Sequence, residues 1–387
     1  MRTPESELDS LEQSNQLRKL SHNESAAGAT IVLEGKEYLN FSSNDYLGLA
    51  QHPKLIDAAI RSTQQWGTGT GSSRLVFGSQ TPSKALEQWI ANAKGTEAAL
   101  VFANGYTTSV GTLSALVGKG DTIILDKLSH ASLIDGARLS GATIRVFPHN
   151  NLEKLEKILQ SVRAKSEPEQ RCIIVTEGVF SMDGDTAPLR EMINLKNRYG
   201  AWLLVDEAHA LGIYGEHGMG LASQLACSDE IELQMGTLGK AAGSAGGYLA
   251  ASHNIIQLLV NKARSFIYST AAPPAQYAAG LAALKLIHSD EGSKLRAKLW
   301  NNLNLFAELT NTPVPESSII AWQVGDTNKA LSLMQTLRED YQLICPAIRY
   351  PTVPRNTARL RITITASHSE EHIHKLATAL LELSEAN

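Results

Sequence analysis

Runs of consecutive apolar residues punctuate this chain: IILD from Ile123, CIIVTE from Cys172 and WLLVDE from Trp202. Apolar side chains on both alternating faces mark strands that must be covered from two sides. Segments of helical period lie between them, so the pattern from about Asn40 onward predicts an α/β fold with a mostly parallel central sheet and helices on both faces. Strands are expected at Ala98 to Phe102, Thr122 to Asp126, Thr143 to Phe147, Cys172 to Glu177, Trp202 to Asp206 and Gly247 to Ala251. Helices are expected at Pro53 to Trp66, Ser83 to Ala93, Thr107 to Leu116, Leu152 to Lys165 and Leu189 to Tyr199, the last opened by Pro188 and stopped by Gly200.

The paired prolines Pro273 and Pro274 break this rhythm, and an Ala/Leu-rich helical stretch follows. Beyond it, strands near Ser318 to Val324 and Leu360 to Thr365 and helices near Lys329 to Tyr341 and Glu370 to Ser384 suggest a smaller α+β domain. The division expected is an N-terminal arm over 1–40, a large domain over 41–275 and a smaller C-terminal domain over 276–387.

Composition removes several function classes. A formal net charge of −4 supplies no field to hold a nucleic acid. Apolar runs fall far below the roughly 20 residues needed to span a membrane, and the first residues lack a signal-peptide core. The 3 cysteines, Cys172, Cys227 and Cys345, lie far apart without CxxC spacing, so no metal site is expected and a reduced, cytoplasmic setting fits.

Chemistry concentrates between Val205-Asp206-Glu207-Ala208-His209 and Thr237-Leu238-Gly239-Lys240. An acid at the end of a buried strand can keep a pyridine nitrogen protonated, a histidine can bond a phenolic oxygen, and a desolvated lysine can hold an aldehyde covalently. The bland reading of the same residues is a generic α/β enzyme with a capping Asp and a surface lysine. A helicase DEAH box is excluded, because no G-x-x-x-x-G-K-[ST] loop is present. Phe102-Ala103-Asn104-Gly105-Tyr106 reads as a strand end turning into a helix whose free N–H groups suit a phosphate, or as an ordinary βα turn. The Gly67 to Ser73 loop lacks a Walker lysine and is read as facing substrate, with Arg74 beside it. His130 could stack on a flat ring or satisfy a loop. Arg359 and Arg361 alternate on a strand, and such a pair can grip a carboxylate or be consumed in salt bridges.

NFSSNDYLGL from Asn40, SHASLIDGA from Ser129, TEGVFSMDGD from Thr176, VDEAH, TLGK, IYST from Ile267 and PTVPRNTARLRIT from Pro351 follow one another in order and spacing. Together they resemble the α-oxoamine synthases, over nearly the whole chain from about residue 40. The resemblance implies a PLP-dependent transferase of fold type I, with pyridoxal 5′-phosphate as cofactor. It implies that Lys240 anchors the cofactor covalently, Asp206 pairs with the ring nitrogen, His209 bonds the phenolic oxygen with Ser181 nearby, and His130 stacks on the ring. Gly105, Tyr106 and Thr237 would lie near the phosphate, and Thr270 would reach it from the neighbouring subunit of a homodimer. Asn44 and Arg361 would hold an amino-acid carboxylate, and Arg18 the far carboxylate of an acyl chain. The substrates implied are L-alanine and a pimeloyl thioester, carried by coenzyme A or an acyl carrier protein. The alternatives are a sibling synthase using glycine or serine with another acyl-CoA, a silent partner subunit, which the presence of Lys240, Asp206 and His209 argues against, and a sugar aminotransferase-like enzyme, which the SHAS and PTVPRNTARLRIT strings speak against.

Overall fold

The structure is a computed structural model that describes residues 3–385 apart from 166 and 168. A 7-stranded sheet forms the centre, ordered Ala98–Phe102, Gly247–Ala251, Leu233–Thr237, Trp202–Asp206, Cys172–Glu177, Thr122–Asp126, Thr143–Phe147. Gly247–Ala251 runs antiparallel to both its neighbours, and the other pairings are parallel. Successive residues feed opposite cores: Ile173 and Val175 pack with Leu204 and Leu249 on one face, while Ile174 packs with Leu203 and Ala250 on the other. Each of these side chains is fully buried, and each Val, Ile or Leu among them gains about 1.5–3 kcal/mol, which is why the runs are apolar without alternation.

The six strands expected from the sequence stand at those positions, and Leu233–Thr237 is a seventh. Its LQMGT sequence hides it, since Gln234 and Gly236 dilute the apolar signal. The Gln234 amide is buried and donates to the carbonyls of Lys94 and Ser228, and a side chain at Gly236 would collide with the Tyr248 hydroxyl. A helix that the periodicity did not reveal, Ala131–Ser140, follows His130 directly.

Within the stretch expected to be an arm, Thr30–Leu33 and Lys36–Asn40 form a hairpin turned at Glu34 and Gly35, both at positive φ. Its second strand pairs with Leu343–Ile344 from the other end of the chain. The helix after the paired prolines, Pro274–Ile287, packs on Pro53–Trp66 and Thr81–Lys94, whereas Asp290–Thr310 packs on Glu370–Glu385. We propose that the large and small parts meet between these two helices. In the small part Ile319–Gly325, Ala358–Thr363 and Ala347–Ile348 form an antiparallel sheet that presents Arg359 and Arg361 toward the large one. No helix among the described residues is long and apolar enough to cross a membrane.

Candidate active site

Parallel strands place their carboxyl ends on one edge of the sheet, and that edge is where ligands of open α/β sheets bind. Glu177 and Asp206 are register partners at the ends of adjacent strands, and Thr237 ends the next one. Lys240 follows in a turn closed by Gly243, whose positive φ and contact with the backbone of Leu49 and Ala50 leave no room for a side chain. The 45–50 segment is itself fixed by Asp45, whose carboxylate accepts from Leu49 N at 2.8 Å and Ala50 N at 3.0 Å. Just before this contact, Tyr46 reaches His209 and Asn44 reaches Arg361.

A cavity of about 190 Å³ opens here, and Gly105, Tyr106, His130, Glu177, Asp206, His209, Thr237 and Lys240 all line it. Lys240 Nζ stands 2.5 Å from His209 Nε2. Burial pushes the amine down to about 8, against the pull of Asp206 and Glu177 and with the help of Arg361. Burial likewise holds His209 well below the ordinary histidine range, and Lys240 and Arg361 add to this. Asp206 is raised by burial although Lys240 opposes it, and Glu177 is pushed up to about 8 by burial and then by Asp206. Two acids and one amine thus share a space too dry for all to be charged.

One wall is the start of helix Gly105–Leu116. Asn104 caps it by accepting from Thr107 N at 2.9 Å, which leaves the N–H groups of Gly105 and Tyr106 without helical partners. A methyl at Gly105 would rest 3.7 Å from the Thr237 hydroxyl, so the anion site and the strand end are in contact. The opposite wall is His130, which caps Ala131–Ser140. Its Nδ1 accepts from Ser132 N at 3.2 Å, so Nε2 carries the proton, and its backbone N–H donates to Glu177 at 2.5 Å. Tyr106 donates to Asp135 at 2.8 Å.

His130 also lines a larger cavity of about 750 Å³, with Leu128, Ile134, Phe180 and Met182 among its apolar walls and Arg18 beside them. Ser181 lines this cavity and not the smaller one, and its carbonyl accepts from Arg361 Nε at 2.7 Å. Arg361 also donates to Asn44 at 3.1 Å. Arg359 is consumed by Asp183, so of the two alternating arginines only Arg361 bears on the small cavity. Arg74 is held by both oxygens of Glu87 at 2.9 Å and is likewise committed to the fold. Thr270 is exposed, lines neither cavity and bridges to Ser73. Glu177 and Tyr46 were not singled out by sequence; the signal for Glu177 was two neighbouring apolar strands that both end on acid.

The donor set fits pyridoxal 5′-phosphate. An anion site, a histidine face, an amine lowered by burial and an acid raised by burial surround one cavity. A cationic ring nitrogen against Asp206 would offset the desolvation that now raises it.

A family model described as aminotransferase class I and II matches residues 36–380, and the chain belongs to that family. Among its relatives, the 8-amino-7-oxononanoate synthase of Geobacter sulfurreducens is 44% identical over 97% of this chain and 96% of its own length. A solved 8-amino-7-oxononanoate synthase from Francisella tularensis superposes with a TM-score of 0.76 at 28% identity, covering 90% of this chain and 97% of that one. A variant serine palmitoyltransferase from S. paucimobilis, solved with a bound PLP–myriocin aldimine, superposes with a TM-score of 0.91 at 29% identity, covering 98% of this chain and 96% of that one.

Proposed function

We infer that the chain catalyses the decarboxylative condensation of L-alanine with a pimeloyl thioester, yielding 8-amino-7-oxononanoate, CO2 and the free thiol in biotin biosynthesis. The cofactor is pyridoxal 5′-phosphate. When bound, it supplies an electron sink that stabilises negative charge at the α-carbon of the amino acid. The observation that carries the reading is the single cavity shared by Lys240 and Asp206, with the amine lowered to about 8.

Each residue then has a part. The Lys240 amine has a large neutral fraction near pH 8, so it can hold the cofactor, take the α-proton of alanine and return one later. Asp206 would keep the ring nitrogen protonated, His209 would face the phenolic oxygen, and His130 would stack on the ring. Gly105, Tyr106 and Thr237 would surround the phosphate. Arg361 and Asn44 would take the alanine carboxylate. His130 presents Nε2–H and lines both cavities, so it is placed to donate to the thioester carbonyl as the new carbon–carbon bond forms and the thiol departs.

The larger cavity suits the acyl chain, with Arg18 at its far carboxylate and with coenzyme A or an acyl carrier protein as carrier. We propose a homodimer in which Thr270 serves the neighbouring subunit. Exposed Leu75, Val76, Phe77 and Tyr268 support such a contact, since apolar groups of this size gain by being covered. A cytoplasmic location is proposed, in keeping with three cysteines that are all free.

Product mass tests the substrate. Holoenzyme given alanine and pimeloyl-CoA should release 8-amino-7-oxononanoate; faster turnover of glycine or serine with another acyl-CoA would make it a sibling synthase instead.

A further inference from the structure

Behind the Lys240–His209 contact lies a phenol that the reaction described above does not use. Tyr46 is wholly buried, and its hydroxyl stands 2.5 Å from His209 Nδ1 and 3.3 Å from Asn44 Oδ1. Asn44 Oδ1 in turn accepts from Arg361 at 3.1 Å, and His209 Nε2 meets Lys240 Nζ at 2.5 Å. An unbroken polar chain therefore runs from Arg361 through Asn44, Tyr46 and His209 to Lys240.

Proton counting gives this chain two consistent states. A neutral imidazole has one N–H, and a phenol has one O–H. When Lys240 is an ammonium it can only donate, so Nε2 must accept, Nδ1–H must donate to the Tyr46 oxygen, and the phenol must donate to Asn44. When Lys240 is neutral, the phenol can donate to Nδ1, and Nε2–H donates to the amine. We propose that Tyr46 is a positioning residue that selects which ring nitrogen of His209 carries the proton, and thereby couples the proton held at Lys240 to the Asn44–Arg361 pair.

The coupling has a chemical use. In the second state Nε2 is a donor in the cavity that His209 and Lys240 both line, so it could serve an oxygen acceptor of the cofactor, and it becomes one only after Lys240 has given up its proton. Burial pushes the phenol up to about 12 and holds the imidazole neutral, so neither group escapes the alternation by ionising. The charged and titratable groups facing the pair are Lys240, Arg361 and His130, with Asp206 and Glu177 acting on Lys240. This inference rests on the reading that Lys240 and His209 serve the cofactor.

Tyr46→Phe removes the hydroxyl and keeps the ring, and the holoenzyme carries two readouts besides turnover. Side-chain ¹⁵N resonances of His209 report which nitrogen is protonated, and the pH midpoint of the visible absorbance of the bound cofactor reports the linked proton. The expected result is a changed ¹⁵N pattern, a midpoint displaced by about one pH unit or more, and a kcat lowered about 10- to 100-fold, the scale seen when the partner that orients a metal-bound histidine is removed. KM for alanine should move less than kcat. Asn44→Ala, which leaves the phenol only His209 as an acceptor, should push the ring further toward Nε2–H. If Tyr46→Phe leaves the ¹⁵N pattern and the midpoint as in the wild type, Tyr46 is packing alone and the inference is wrong. Absence of cofactor absorbance in the wild type would instead overturn the cofactor reading itself.

Discussion

Asp206 and Glu207 are consecutive buried acids at the end of one strand, and their surroundings differ in kind. Glu207 is saturated: Lys94 Nζ donates to it at 2.5 Å, Ala222 N donates at 2.8 Å, and Lys94 places a further bond on Met219 O at 2.6 Å. Burial works against the Lys94 charge, yet Glu207 outweighs it and the amine lies above its ordinary range. Asp206 has one backbone donor, Ala208 N at 2.9 Å, and faces a cavity in which a second acid and a lowered amine compete. Burial alone therefore does not mark a functional group. A buried charge whose partners are complete holds the fold, and one whose partners are incomplete is set up to receive a ligand.

Removal of one member from each set separates the two kinds. Lys94→Ala strands a buried carboxylate, so it should cost about 3–5 kcal/mol of stability, seen as a large fall in the thermal or denaturant midpoint. A loss below about 1 kcal/mol would erase the contrast. Asp206→Asn should leave the midpoint of the cofactor-free protein unchanged or raised, because it deletes a desolvated acid. The same variant should slow exchange of the alanine α-proton by about 10²- to 10³-fold, read by deuterium incorporation. Unimpaired exchange would remove the electronic role of Asp206.

Glu177 supplies a finer test through pH. Its carboxyl is raised from 4.5 to about 8, so the folded chain binds the proton more tightly than the unfolded one. The stability this contributes is complete below pH 4.5 and is lost as pH rises through about 8. Glu177→Gln keeps the oxygen that accepts from His130 N and should flatten that decline, leaving the cofactor-free variant more stable than wild type near pH 8. Parallel stability curves for the two proteins would mean that Glu177 is not the strained member of the cavity.

Much of this was legible in the chain itself. CIIVTE and WLLVDE read as doubly covered strands because hydrophobic burial acts residue by residue, and Asp206, His209 and Lys240 stood out by chemical type and spacing. Leu233–Thr237 was hidden because its Gln234 and Gly236 answer to neighbours distant in sequence, namely Lys94 and Tyr248. The hairpin over residues 30–40 depends on Leu343–Ile344, and no local pattern announces such a partner. Glu177 and Tyr46 escaped notice for the same reason. One gains its meaning from register with Asp206, the other from a contact with His209 across 163 residues.

The most direct test of the account is to trap the holoenzyme with borohydride, digest it and locate the cofactor mass by peptide sequencing. The account predicts that the reduced cofactor is attached to Lys240 and that Lys240→Ala yields no labelled peptide. Label on another lysine, or label that persists in the variant, would contradict it.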